Sequence, residues 1–287
     1  MSLRLLVVEG NTRESRENYR RAYGKTPSEA YAFELQAVAP DAVCDIAFPA
    51  DDGFNLPDGM ELAGYDGVAL TGSSLHLWKR EPAVDRQVEL AREVYKSRTA
   101  FFGSCWGIQI ATVAAGGDVS KNNRGRELSI ARNIAPTEAG RSHPLLAGRR
   151  GAFDAPCVHL DIVDTLPPDS TLLASNAMAP VQAAEIRHEG GVFWGVQYHP
   201  EFGLKQLAII MEGRLDMLVE EGFFADRAMG QATVDDWITL EDDPKRGDIA
   251  WRYGLTEDIT DPSTRRIEIS NWIATQVRPR KSARGRA

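Results

Sequence analysis

Short apolar runs alternate with segments of helical period from the N-terminus to the paired glycines at 116–117, and this alternation constrains the fold more than any other feature. "LRLLVVE" (3–9), bounded by Gly10-Asn11, has the pattern of a buried strand. Thr26-Pro27-Ser28-Glu29 offers an N-cap, a proline at the first helical position and a capping-box glutamate, so a helix is expected from there to about residue 39. "VCDIAF" (43–48), "GVALTG" (67–72) and "TAFFG" (99–103) are further strands. Glu81-Pro82 opens a helix with apolar Val84, Val88, Ala91, Val94 and Tyr95, and a second helix over 106–115 is stopped by Gly116-Gly117. Such alternation makes a parallel sheet with helices on both faces. The expected fold is α/β, a three-layer α/β/α sandwich of flavodoxin-like or Rossmann-like type.

Beyond Gly117 the pattern changes. "LSIARNI", "TLLAS", "VQAAEI" and "GVFWGVQ" are strand-like runs between turns and imply a small antiparallel section. One amphipathic helix is expected over 204–222, carrying Leu207, Met211, Leu215 and Leu218. The rest is acidic and helical, with Asp261-Pro262 opening the last helix. The expected division is a core domain over 1–215 and a helical extension over 216–287, whose basic end "RPRKSARGRA" reads as a solvated, disordered tail. Segment 11–34 falls near the mouth of any site at the strand ends, as leaving-group contacts or a solvated loop.

The composition narrows the function class. A net charge of −8 argues against nucleic acid as a partner. The longest apolar runs, such as "LAII" at 207–210, are too short to span a bilayer, and the first residues lack the apolar core of a signal peptide. Cys44, Cys105 and Cys157 are far apart and build neither a metal site nor a disulfide framework. Free thiols suit a reducing compartment, so a cytoplasmic protein without membrane or metal is expected. No phosphate-binding Gly-x-x-x-x-Gly-Lys-Ser/Thr loop occurs, and no cofactor is expected.

Chemistry concentrates in Gly103-Ser104-Cys105-Trp106-Gly107. The Gly-x-nucleophile-x-Gly spacing between a strand and a helix makes a sharp turn that exposes the central side chain. The helix that follows points its first N–H groups at the sulfur and favours thiolate, and the N–H of Trp106 falls beside any oxyanion formed there. An isolated cysteine is more often a small core residue, which is how Cys44 and Cys157 are read. A thiol nucleophile also needs a base. Of His76, His143, His159, His188 and His199, the last ends the buried-looking run "GVFWGVQYHPEF" (191–202), and Glu201 can turn back to orient its ring.

"GSCWGIQ" followed by "GVQYHPE" resembles the class I, triad-type glutamine amidotransferase family over residues 3–202. The resemblance implies a Cys105–His199–Glu201 triad that hydrolyses the side-chain amide of glutamine through a γ-glutamyl thioester. It further implies that "LTGSS" (70–74) is the oxyanion loop, with Gly72 against the substrate and the Ser73 N–H opposite that of Trp106. Gln109 would contact the amino-acid end of the substrate. "RGREL" (124–128, with Glu127 and Leu128) and "VHLD" (158–161, with His159, Leu160 and Asp161) would wall the glutamine pocket. Gly72-Ser73-Ser74 stands where members that feed synthetases usually have Gly-Gly-Pro, and Ser104 replaces an apolar residue. The Gly-Ser version looks more like stand-alone members, including γ-glutamyl peptidases.

The leading expectation is ammonia release for a separate acceptor synthetase, since the residues after Glu201 are too few to hold one. The alternative is a self-sufficient hydrolase of γ-glutamyl amides or peptides, and a further one is a catalytically silent scaffold. In a related arrangement the acid comes from an early strand, for which Glu9 is the candidate.

Overall fold

The computed structural model describes residues 2–54, 56–79 and 81–283. Among them nine strands form one sheet in the order β2-β1-β3-β4-β11-β10-β9-β6-β7, and β5 with β8 forms a separate ribbon. The strands are β1 (Leu3–Val8), β2 (Ala42–Ala47), β3 (Gly67–Leu70), β4 (Ala100–Ser104), β5 (Asp118–Lys121), β6 (Glu127–Pro136), β7 (Phe153–His159), β8 (Asp161–Thr165), β9 (Ser170–Ser175), β10 (Ala183–His188) and β11 (Gly191–Val196). Strands β2, β1, β3, β4 and β11 are parallel. From β11 outward the sheet turns antiparallel, so the antiparallel section continues the central sheet instead of standing beside it.

Alternation along β1 builds the layers. Leu3, Leu5 and Val7 share a core with Tyr31 and Leu35 of α2 (Pro27–Val38). Leu6 and Val8 share the opposite core with α3 (Pro82–Ser97) and α4 (Trp106–Ala114). The capping box at Thr26 and Glu29 forms as the spacing predicts. An additional helix, α1 (Arg13–Tyr23), precedes it, capped by the Thr12 side chain at one end and by left-handed Gly24 at the other. A short α5 (Glu138–Ser142) follows β6.

Two expectations about the second half are corrected. The helix expected over 204–222 is two helices, α6 (Leu204–Glu212) and α7 (Leu215–Glu220), broken at Gly213-Arg214. The apolar spacing runs through the break because Leu207, Met211, Leu215 and Leu218 all enter one core with α8 (Arg227–Asp242) and with Leu128 and Ile130 of β6. The basic tail is helical where it is described, over Arg278–Ala283. Arg278 pairs with Asp41 at 2.7 Å, and Lys281 is buried. Arg284 and Arg286 lie outside the described residues.

The segment from Asp261 onward also reaches the central core. Asp261 caps the turn at Pro262 by accepting from the N–H groups of Ser263 and Thr264. Trp272 then stacks on Phe102 of β4 with ring centroids 5.5 Å apart. A Cβ on Gly67 would come within 2.9 Å of the Trp272 ring, so β3 lies directly against the indole.

Candidate active site

Three neighbouring strands end together and deliver the site. Leu70 of β3 is in register with Gly103 of β4, and Val196 of β11 with Ser104. Cys105 extends the ladder by donating its N–H to the Val196 carbonyl at 2.8 Å. Residues 71–74, 105 and 197–201 therefore emerge side by side at the carboxyl edge of the sheet, where open α/β sheets bind ligands.

The elbow has the strain its motif implies. Cys105 sits at φ 50°, ψ −99°, a backbone region that residues with a Cβ rarely adopt. Gly103 and Gly107 make the turn possible. A Cβ on Gly103 would lie 2.8 Å from the Cα of Gly107, and one on Gly107 would lie 3.0 Å from the Leu70 carbonyl oxygen. Ser104, expected to be apolar from the resemblance, shares a hydroxyl–hydroxyl hydrogen bond of 3.0 Å with buried Tyr31.

His199 is held from three directions. Its backbone N–H donates to Pro156 at 2.7 Å, and its ring stacks on Phe202 with centroids 3.9 Å apart. Nδ1 meets Glu201 Oε1 at 2.7 Å, which leaves Nε2 for other partners. The second carboxylate oxygen of Glu201 is buried without a hydrogen-bond partner among the described residues. Burial by itself would lower the pKa of His199. The negative charges of Glu201 and Cys105, and hydrogen bonds to both, outweigh it and raise the value to about 10. The thiol and the imidazole border the same cavity, and the raised pKa favours the imidazolium form at neutral pH. Glu9 is not part of this array, since its carboxylate accepts from Asn11 and from the Ser28 N–H.

Asn11 orders the loop over 71–75 by accepting from the Ser74 N–H at 3.0 Å and donating to Gly72 O at 3.3 Å. The Ser73 hydroxyl donates to Gly10 O at 2.8 Å and accepts from the Leu75 N–H at 3.1 Å. The Ser73 N–H has no hydrogen-bond partner among the described residues, and neither has the Trp106 N–H in the first turn of α4. The Trp106 indole is anchored by a 2.8 Å bond to Gln87.

Two cavities meet at Cys105, and both are bordered by Ser73, Ser74, Val158 and Arg214. The smaller, about 190 Å³, is also lined by Gln109, Leu128, His159, Leu160 and Asp161, all singled out in the sequence. Gln109 donates to Asp161 O at 2.9 Å. Glu127 does not line this cavity. Its carboxylate is turned inward, accepting from His159 Nε2 and Gln182 at 2.8 Å each and from Asn176 at 2.6 Å. Asp161 meets His76 Nδ1 at 2.7 Å and accepts from the Trp78 indole at 3.4 Å. His76 and Arg126 also border the cavity; Arg126 belongs to the "RGREL" stretch expected to wall the pocket, whereas no motif marks His76 in the sequence. The larger cavity, about 330 Å³, is lined by Gly72, His199, Glu201 and Phe202, by Ser15, Asn18, Tyr19 and Ala22 of α1, and by Ile209 and Ile210 of α6. No cluster of three or more potential metal ligands occurs among the described residues, and no helix there is long and apolar enough to cross a membrane.

A flavodoxin-like sheet that brings a strained cysteine and a carboxylate-bound histidine to one cavity has the parts from which cysteine hydrolase sites are built. The chain belongs to the glutamine amidotransferase class-I family, whose model matches residues 49–211. It is 37% identical over 228 residues to a gamma-glutamyl-L-1-hydroxyisopropylamide hydrolase from a Pseudomonas species, covering 77% of this chain and 75% of that protein. It is 29% identical over 187 residues to gamma-glutamyl peptidase 3 of Arabidopsis thaliana, covering 63% and 72%. In structure it resembles a glutamine amidotransferase from Methylobacillus flagellatus, with a TM-score of 0.63 at 15% identity over 96% of this chain and 95% of that one.

Proposed function

We propose that this protein is a self-sufficient hydrolase that cleaves γ-glutamyl amides or peptides to glutamate and a free amine. Cys105 is the nucleophile, His199 the acid and base, and Glu201 the group that orients and charges the imidazole. The Sγ–carbon bond forms as the carbonyl electrons move to oxygen, where the N–H groups of Ser73 and Trp106 receive the charge. Collapse breaks the carbon–nitrogen bond while His199 gives its Nε2 proton to the departing amine. Water then adds to the thioester, its proton returns to His199, and glutamate leaves as the carbon–sulfur bond breaks.

The observation that carries this reading is the larger cavity. A group that protonates the leaving nitrogen must stand on the leaving side, and His199 borders the larger cavity and not the smaller one. The γ-glutamyl group then occupies the smaller cavity, beside Gln109 and Asp161, and the amine the larger. A space of about 330 Å³ is far more than ammonia needs. The hydrolase and peptidase relatives act, by their names, on γ-glutamyl compounds whose leaving groups exceed ammonia. This favours the alternative drawn from the sequence over ammonia supply to a synthetase.

The test compares amine release from γ-glutamyl alkylamides with ammonia release from glutamine, with Cys105→Ala as control. The expected result is a specificity constant for the alkylamides at least tenfold above that for glutamine, and no turnover by the variant. A tenfold preference for glutamine would return the protein to ammonia supply.

A further inference from the structure

Arg214 stands where the two cavities meet, and among the described residues it is the only arginine or lysine lining the larger one. The break between α6 and α7 puts it there. Gly213 ends α6, and Arg214 at φ −131°, ψ 12° leaves the helical path before α7 begins. Its Nη1 donates to the Ile210 carbonyl at 3.1 Å, which ties the guanidinium to the last turn of α6. Neighbouring Arg126 is neutralised by Glu221 at 2.9 Å, whereas Arg214 has no carboxylate partner among the described residues. Burial and the charge of Arg126 hold its pKa below the usual arginine value. A half-buried guanidinium at a substrate cavity without a counter-ion is a site for an anion.

We infer that Arg214 binds the carboxylate of an amino-acid leaving group, so that the preferred substrates are γ-glutamyl dipeptides over uncharged γ-glutamyl amides. The inference rests on the γ-glutamyl hydrolase reading. In a γ-glutamyl dipeptide the leaving residue carries its carboxylate on the carbon bonded to the scissile nitrogen. That carboxylate stays close to Cys105, at the junction Arg214 occupies. The α-carboxylate of the glutamyl group lies at the far end of a three-carbon chain, deep in the smaller cavity. Arg214 is therefore placed for the leaving group, and its planar fork matches a carboxylate.

The experiment measures kcat/KM for γ-glutamylalanine and for the γ-glutamyl amide of alaninol, which replaces the carboxylate by a neutral hydroxymethyl group. The wild type is expected to favour the dipeptide by tenfold or more. Arg214→Gln should lower the ratio of the two specificity constants by about thirtyfold, and Arg214→Lys should restore part of it. A wild-type ratio at or below one overturns the inference without any variant. So does a ratio that Arg214→Gln leaves unmoved, or an equal loss on both substrates, which would place Arg214 at the glutamyl end. A wild type that releases amine from neither compound fails the hydrolase reading and the inference with it.

Discussion

A Cβ on Gly72 would stand 2.7 Å from Cε1 of His199, so the bare backbone of one residue sets the position of the other's ring. The ring is confined between this glycine and the face of Phe202. Gly72→Ala should push the imidazole off its line to Cys105 and lower kcat/KM by about 100-fold, since displacements of this size have such costs. Because one methyl is added at the sheet edge, thermal unfolding should move by only a few degrees. A variant with wild-type turnover would show that the ring has room to spare.

Against burial, which lowers it, Glu201 and Cys105 together raise the pKa of His199 above its ordinary value of 6.5, to about 10. A group whose folded-state pKa is raised stabilises the fold fully below its unfolded value and loses that contribution as pH climbs through the folded one. Denaturant unfolding of the wild type should therefore weaken between pH 6.5 and 10 by more than that of Glu201→Gln, whose ring lacks the carboxylate. Imidazole resonances observed by NMR should show His199 charged at pH 7 in the wild type and losing its proton at a lower pH in the variant. Identical titrations in the two proteins would remove Glu201 from the site.

Ala22 of α1 faces the larger cavity. Ala22→Trp should fill part of it and reduce kcat/KM for bulky γ-glutamyl amides by at least about tenfold relative to glutamine, because overfilled sites exclude by steric clash. Parallel losses on both substrates would mean that the amine leaves by another route.

Much of this site is legible in the sequence because its parts are local. The strand, the two glycines and the helix around Cys105 are adjacent in the chain, and so are His199 and Glu201. That both reach one cavity follows from β4 and β11 being neighbours in the sheet. Helix α1 is harder to see. Its sequence, RESRENYRRAY, is nearly all polar and buries Arg16, which is ion-paired to Asp51, so no apolar stripe announces it. Its local signals are the caps at Thr12 and Gly24, with Glu14 in the first turn and Arg20 and Arg21 in the last. The break before Arg214 is masked by the apolar spacing that continues across it, and Glu127 turns inward toward Gln182 and Asn176, partners about fifty residues away in the chain.

The C-terminal segment is part of the central packing. Trp272 is fully buried against Phe102 and Gly67. Trp272→Ala should destabilise the protein by about 3–5 kcal/mol, the cost of removing a large core aromatic. Denaturant titration checks this. A loss below about 1 kcal/mol would make residues 262–283 a peripheral addition.

The claim on which the rest depends is that Cys105 and His199 form one reactive pair that accepts a γ-glutamyl group. Peptide mapping after treatment with a glutamine-analogue electrophile measures it directly. The account predicts one label, on Cys105, slowed by a γ-glutamyl amide and abolished in His199→Ala. Labelling of Cys44 or Cys157 in preference to Cys105, or a rate indifferent to both the amide and His199, would contradict it.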